Sequence, residues 1–193
     1  MQTLRITHYG EPILTQKGEA IEQFDDNLRN LADQMLHTMY EANGIGLAAQ
    51  QIDQAKRMCV VDVLFEDGPP SFNYKLDGRV PPADLFMPMA LVNPEIKSFG
   101  EKTEPYEEGC LSFPDIRGDV IRPTEIVVEY QDLDGATHSL ECDGILARCI
   151  QHEIDHLDGV LFIDRMDHKT LGTIKTVVKK LKKQTLKKMS SEK

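Results

Sequence analysis

The stretch of sequence that decides the fold is QHEIDHLDG, from Gln151 to Gly159. It contains the pattern HExxH, in which His152 and His156 are four residues apart. Residues at this spacing lie one above the other on one face of a helix, so both imidazoles can bind one metal ion from the same side. Glu153 is then placed to act on a water bound to that ion. The stretch therefore predicts a helix that contributes two ligands to a metal site.

The residues around the pattern also favour a helix. Asp143 and Gly144 can open it, and Gly159 can close it. Apolar residues recur at helical spacing, as expected for a helix with a buried face: Ile145, Leu146, Cys149, Ile150, Ile154 and Leu157. An ordinary amphipathic helix with solvated histidines would show the same short pattern, so a third ligand has to decide between the two interpretations.

A catalytic metal usually takes three protein ligands and keeps one position open for water. Downstream, the longer pattern HExxHxxGxxH is matched as far as Gly159, but its last position is Phe162, which cannot bind a metal. Asp164 and Asp167 follow where the chain is expected to leave the helix. The stronger candidate is Cys110, upstream, whose glycine and small polar neighbours indicate a loop that backbone can approach closely.

Cys149 is the rival third ligand, because it shares a helix face with both histidines. Positions 149 and 156, however, are separated by about 10 Å along a helix axis, which is too far for one ion at bond lengths of about 2 Å. The spacing therefore favours Cys110. No disulfide-scaffold spacing is found among the four cysteines, Cys59, Cys110, Cys142 and Cys149.

Several short motifs occur in one order along the chain. Residues 44–51 read GIGLAAQQ, residues 108–112 read EGCLS, and residues 151–156 read QHEIDH. Residues 117–123 continue the cysteine motif with RGDVIRP. At these spacings the motifs resemble those of the peptide deformylases, and the resemblance covers roughly residues 3 to 166.

The resemblance implies specific roles for the site residues. It implies three metal ligands, Cys110, His152 and His156. Glu153 is expected to be the general base that takes a proton from the metal-bound water attacking the formyl carbon, and the acid that returns it to the leaving amine. The side-chain amide of Gln51 and the backbone N–H of Leu111 are expected to stabilise the oxyanion.

The implied reaction is removal of the N-formyl group from the N-terminal formyl-methionine of newly made peptides, with release of formate. The family binds its substrate as an added strand, which here would lie against backbone near Ile45, Gly46 and Gly109. Ile45 and Ile145 are candidates to line an apolar pocket for the methionine side chain. Arg117 matches an arginine of the family pattern, although a surface ion pair explains this residue equally well.

The identity of the metal is left open by the ligands themselves. One thiolate and two imidazoles suit zinc or ferrous iron, and spacing does not choose between them. The resemblance implies Fe²⁺ as the native ion, with Zn²⁺, Ni²⁺ or Co²⁺ as replacements.

Composition bounds the class of protein. A chain of 193 residues with 40% hydrophobic content can bury one good core. It has no run of about eighteen apolar residues, so no membrane span is expected. The amino terminus lacks the features of a signal or transit peptide, and we expect a cytoplasmic protein.

Coarse patterns along the chain predict an α+β fold, with antiparallel or mixed sheets around a central HExxH-bearing helix. Residues 25–42 show apolar residues at helical spacing, which predicts an N-terminal core helix. Strands are expected at 57–65, 89–99, 101–107, 125–130 and 137–141. Residues 66–86 show no period and are expected to form a surface loop insertion. Pro12 is expected to lie in a turn followed by an extended piece.

The carboxyl-terminal residues 167–193 differ from the single catalytic domain expected at 1–166. The net charge of the chain is −10, yet residues 168–193 contain nine lysines and one acid. Apolar residues at helical spacing predict a basic C-terminal helix. This helix is expected either to pack one face on the body and be otherwise solvated or, as the resemblance implies, to dock on the ribosome.

Two other functions are compatible with parts of the pattern. A zinc endopeptidase shares HExxH but needs a downstream third ligand and a groove for internal peptide bonds. A ribosome-associated binding protein would suit a closed structural site with four ligands and no bound water.

Overall fold

The computed structural model describes residues 2–64 and 72–191. Three helices lie in these ranges: α1 (Asp26–Glu41), α2 (Gly144–Leu157) and α3 (His168–Ser191). The first four strands are β1 (Gly46–Ala48), β2 (Met58–Val61), β3 (Tyr74–Leu76) and β4 (Met89–Phe99). The remaining strands are β5 (Thr103–Cys110), β6 (Phe113–Pro123), β7 (Glu125–Gln131) and β8 (Thr137–Asp143).

The strands form two sheets. Six of them make a sheet in the order β1-β2-β4-β7-β8-β3, and β5 and β6 make a separate two-stranded sheet. Every pairing between these strands is antiparallel. The predicted α+β fold, with a core helix before the HExxH helix and another helix after it, is confirmed.

The six-stranded sheet is buried between α1 and α2 at its β1-β2-β4 end. Side chains alternate between the two faces of a strand, so Met58 and Val60 of β2 pack with α1, whereas Cys59 and Val61 pack with α2. Helix α1 begins after Asp25, whose side chain accepts a hydrogen bond from the Leu28 N–H at 3.0 Å. Burial on both faces fixes α2 relative to β1, and these two elements carry most of the site.

The expectation of a surface loop insertion at 66–86 is wrong for its described part. Strand β3 pairs with β8, with Tyr74 opposite Cys142, and Phe72 is buried in the core beneath α2. A three-residue strand is too short to show a period, which is why the pattern was missed. The positions 65–71 lie outside the described residues.

The segment at Pro12 also differs from the expectation. Residues Pro12–Thr15 form a short 3-10 helix instead of an extended piece. Proline is favoured at the first position of a helix because its fixed φ suits the turn and its missing N–H is not needed there.

Helix α3 packs along one face only. Val178 is buried against β6 and the segment after α2, and Lys182 lies over the ring of Tyr9 with its Nζ 5.6 Å from the centroid. Its other lysines within the described residues are exposed. Among the described residues, none of the helices combines the length and apolar character needed to cross a bilayer.

His138 joins the 72–86 segment to the β7–β8 hairpin. Its Nδ1 lies 2.7 Å from Asp77 Oδ2, and its Nε2 lies 3.1 Å from Asp132 Oδ2. The hydrogen bond with Asp77 is the main cause that raises the pKa of His138 above its usual value. Protonated His138 can donate to both carboxylates.

We expect this contact to make stability depend on pH. Because the pKa of His138 is higher in the folded state, its contribution is complete below the unfolded value of about 6.5 and is lost as pH rises through the folded pKa. The wild type should lose up to about 1 kcal/mol relative to His138→Gln between pH 6 and pH 9. Urea unfolding of both proteins measures this, and parallel pH profiles would contradict it.

Candidate metal centre

Helix α2 places two imidazoles in the interior. Asp143 precedes its first turn, and residues 146–157 are all buried. His152 and His156 are one turn apart, with ring centroids 5.1 Å from each other and ring planes at 71°. The helix therefore presents both rings on one face, as the four-residue spacing predicts.

Cys110 comes to these rings from the other sheet. It is the last residue of β5, before the tight turn into β6, and its Sγ lies 3.2 Å from His156 Nε2. One ligand atom from each of Cys110, His152 and His156 lies within 4.8 Å of the others. Among the described residues, this is the group of histidine, cysteine and acidic side chains that can hold a metal ion.

Cys149 lies elsewhere. Its Sγ is 3.4 Å from the backbone oxygen of Ile45, and burial raises the pKa of its thiol well above the ordinary value. The ligand group formed by Cys110, His152 and His156 does not include Cys149. The structure thus brings Cys110 to the histidines and leaves Cys149 in the core.

The three residues fit one metal ion. Bonds of about 2.0 to 2.3 Å at tetrahedral angles place neighbouring donor atoms roughly 3.5 Å apart, close to the observed separation of Cys110 and His156. His152 directs its Nδ1 to Glu108 Oε2 at 3.0 Å, which leaves Nε2 for the ion. A carboxylate behind a ligating imidazole is the usual outer-shell arrangement in metal sites.

Glu108 is the centre of a buried charge network. It accepts hydrogen bonds from Arg122 at 2.7 and 3.0 Å and from Arg148 at 2.8 Å. Burial alone would raise the pKa of Glu108, but the bonds from His152 and Arg122 outweigh it and lower that pKa to about 2. Glu108 is therefore a fixed anion behind His152.

Glu153 is the acidic group nearest the expected chemistry. It is 3% exposed, and its Oε2 has no hydrogen-bond partner among the described residues. Burial is the main cause that raises its pKa to about 7, whereas a bound cation would favour the carboxylate. A side chain at Gly46 would meet the Glu153 carboxylate and the Cys149 thiol, so a larger residue there would have to displace them.

Gln51 is oriented by its own turn. Its Oε1 accepts a hydrogen bond from the Ala48 N–H at 2.8 Å, which directs Nε2 towards Cys110 Sγ at 3.5 Å and Ser112 Oγ at 3.3 Å. Leu111 follows Cys110 in the turn between β5 and β6. The Gln51 amide N–H donors therefore face the ligand group.

A cavity of about 1110 Å³ opens onto the ligand group. All the predicted substrate residues line it: Ile45, Gly46, Gly109, Arg117 and Ile145. Gln51, Cys110, Leu111, His152 and Glu153 line it too. The side chain of Arg117 is 68% exposed, and its Nη1 lies 4.0 Å from Glu107 Oε1. The structure thus brings the predicted site residues together, with His156 behind the cavity wall.

Two backbone edges meet this cavity. Strand β1 is at the edge of the six-stranded sheet, and β5 pairs with β6 alone among the described strands. Gly46 of β1 and Gly109 of β5 both line the cavity. Each edge leaves backbone groups available to an extended chain.

Ser112 and Arg148 were not singled out from the sequence. Ser112 is fully buried beside Gln51, and its place within EGCLS was the available signal. Arg148 is one helical turn before His152, so the four-residue spacing could have placed it on the ligand face.

A cysteine and two helical histidines beside a buried glutamate, at a cavity, are the arrangement expected of a single-metal hydrolase. The chain matches the polypeptide deformylase family over residues 3–171. A peptide deformylase of Opitutus terrae is 57% identical over 185 residues, which cover 95% of each chain.

Solved structures agree with these sequence matches. A plant peptide deformylase superposes with a TM-score of 0.84 at 36% identity, covering 98% of this chain and 95% of the other. A Synechococcus elongatus peptide deformylase in complex with actinonin superposes with a TM-score of 0.74 at 39% identity, covering 88% and 86%. The chain belongs to the peptide deformylase family. It is therefore a hydrolase, and its family supports deformylation of nascent peptides and implies a metal ion.

Proposed function

We propose that this protein removes the formyl group from the N-terminal formyl-methionine of nascent peptides and releases it as formate. The reaction is proposed to take place at the candidate metal centre on α2. The observation that carries the proposal is the convergence of Cys110, His152 and His156 beside the buried carboxyl of Glu153, at the wall of one cavity. These three residues are the proposed metal ligands.

We propose Fe²⁺ as the native ion, with Zn²⁺, Ni²⁺ or Co²⁺ able to replace it. When bound, a divalent ion there lowers the pKa of water and polarises the formyl carbonyl. Metal analysis after anaerobic purification is expected to find one Fe²⁺ per chain. Zinc as the main metal under those conditions would contradict the proposed identity.

Amide hydrolysis also needs proton transfer and stabilisation of the developing oxyanion. Glu153 takes a proton from water at its carboxylate and delivers it to the departing methionine nitrogen. The Gln51 Nε2 donors and the Leu111 N–H stabilise the formyl oxygen as it gains charge. Loss of one such donor typically costs about 10² to 10³ in rate.

The peptide is proposed to lie extended between the free edges of β1 and β5. Backbone groups near Ile45, Gly46 and Gly109 are placed to pair with it. Ile45 and Ile145 form an apolar wall of the cavity, against which the methionine side chain would pack. Arg117 lies at the rim of the cavity.

Formate release from a short formyl-methionyl peptide tests the reaction. We expect one formate and one free amino terminus for each peptide consumed, and no cleavage of an acetylated peptide at internal bonds. Internal cleavage without formate would instead identify an endopeptidase.

We propose that residues 1–166 form one catalytic domain and that 167–193 add a basic helix that contacts the ribosome. We propose that the enzyme acts in the cytoplasm, because its nascent substrates emerge from ribosomes there. The support for ribosome contact is that α3 packs by one face and exposes its lysines. Binding of such a helix to ribosomal RNA should be strongly salt-dependent.

Neutralising the exposed face of α3 is expected to weaken ribosome binding. The variant replaces four exposed lysines by glutamine, at Lys179, Lys180, Lys183 and Lys187. Co-sedimentation at several salt concentrations gives the slope of log K, where K is the ribosome-binding constant, against log salt. In the variant the magnitude of this slope should fall by up to about four relative to the wild type. The matched control neutralises four exposed lysines of the body, Lys17, Lys56, Lys75 and Lys102. Equal slopes for both variants would remove the helix from the proposal.

A further inference from the structure

Among the described residues, no strand pairing joins the two parts of the fold that carry the proposed ligands. His152 and His156 are on α2, which packs on the six-stranded sheet, whereas Cys110 ends β5 in the two-stranded sheet. A metal site keeps its geometry only if the elements carrying its ligands are held at a fixed separation. Backbone joins the two sheets at one end, where Thr124 connects β6 to β7 and its oxygen accepts a hydrogen bond from the Gly144 N–H at 3.2 Å. Nearer the ligands, side chains supply the link.

Several side chains of α2 contribute to this link: Asp155 accepts from Arg122 of β6 at 2.7 Å, Gln151 donates to the Pro123 oxygen at 2.9 Å, and Arg148 reaches both strands. Arg148 lies on α2 four residues before His152 and is 9% exposed. Its Nη1 donates to Glu108 Oε1 at 2.8 Å and to the Val120 oxygen at 3.0 Å, and its Nη2 donates to the Glu104 oxygen at 2.8 Å. One guanidinium thus ties the ligand helix to both strands of the two-stranded sheet.

The same guanidinium acts on the carboxylate behind His152. Glu108 Oε1 accepts from Arg148 and Arg122, while Glu108 Oε2 accepts from Arg122 and His152. With both oxygens engaged, the carboxylate cannot rotate away from the imidazole. The ring of Tyr106 lies against the Arg148 guanidinium, with its centroid 5.2 Å from Arg148 Cζ. The ring therefore shields the hydrogen bonds of Arg148 from solvent.

We propose that Arg148 is a positioning residue that sets the separation between Cys110 and the two histidines, and so controls how tightly the metal is held. The inference rests on the proposed function, because it takes these three residues as the metal ligands. Arg148 needs no contact with the substrate or the ion for this role. It acts through Glu108 and through the strand that ends at Cys110.

The test compares metal affinity in Arg148→Met, Arg148→Lys and a matched arginine control. Arg57 ties the other end of α2 to β4, with bonds to Asp158 at 2.7 Å and to the Pro94 oxygen at 2.9 Å. Arg57→Met removes the same charge and the same kinds of hydrogen bond without touching a ligand or Glu108. Co²⁺ is the probe, because its thiolate charge-transfer absorption reports coordination by Cys110, and competition with a chelator gives the dissociation constant.

We expect Arg148→Met to raise the Co²⁺ dissociation constant about 10-fold, the lower end of the usual cost of an outer-shell change, because Glu108 itself stays in place. Arg148→Lys should give a smaller increase, since its ammonium keeps the charge but its single nitrogen does not reproduce the spread of the guanidinium fork. Arg57→Met should keep the wild-type constant and spectrum. If Arg148→Met does not fold, Arg148→Lys carries the comparison.

Two results separate the inference from the proposed function. Wild-type affinity in the Arg148 variants, or an equal loss in Arg57→Met, would overturn the positioning role and leave the metal site intact. Absence of the thiolate band in the wild type would overturn the proposed site, and the role of Arg148 with it.

Discussion

Replacing Glu153 by alanine is expected to lower kcat by about 10² to 10⁴-fold while the metal content per chain stays at the wild-type value. Glu153 is buried beside the ligand group, yet its Oε2 has no partner among the described residues, so it is free to exchange a proton. The carboxylate that supports His152 is Glu108, which this change leaves in place. Formate release and elemental analysis of the same preparation measure the two effects.

Two variants sharpen this prediction. Glu153→Gln keeps the shape of the side chain but cannot take up a proton, so it should lose turnover as Glu153→Ala does. Asp158→Asn changes a partly exposed carboxylate at the end of the same helix and should keep wild-type turnover. A metal-loaded Glu153→Gln enzyme with near wild-type kcat would show that another group moves the proton.

Replacing Cys110 by alanine is expected to remove both the metal and the activity. Two imidazoles would remain, and a site deprived of a thiolate ligand should lose more than the about 10- to 100-fold in affinity that an outer-shell change costs. Elemental analysis after dialysis and formate release measure the outcome. A chain that retains one ion without Cys110 would contradict the proposed ligand set.

The matched control for this change is Cys149→Ala. Cys149 is the cysteine that shares the helix face with His152, and its Sγ faces the Ile45 backbone oxygen. We expect this variant to keep its metal. Loss of the ion in Cys149→Ala, with retention in Cys110→Ala, would reverse the assignment.

The sequence predicted most elements with strong periodicity. Helix α1 and strands β4, β7 and β8 lie close to their expected bounds. The expected strand at 101–107 extends to Cys110, and β6 was not predicted, since Pro114, Gly118 and Pro123 interrupt its pattern. Short or interrupted strands take their structure from pairing, which a local pattern does not record.

The site was predictable to a different degree for each residue. The histidine pair follows from helical spacing, and geometry along the helix axis favoured Cys110 over Cys149. The oxyanion roles of Gln51 and Leu111 came from the family resemblance alone. Arg148 was missed because two of its partners are backbone oxygens of Glu104 and Val120, distant in sequence and independent of side-chain type.

In the proposed binding mode, the edges of β1 and β5 that no other described strand covers bear on which proteins this enzyme can process. Main-chain amides and carbonyls are the same in every polypeptide, so a site that grips them discriminates little among the residues that follow the first methionine. Selectivity is then concentrated at the blocked end of the chain. In that mode one enzyme can process many different chains, because the formylated end is the part that it recognises.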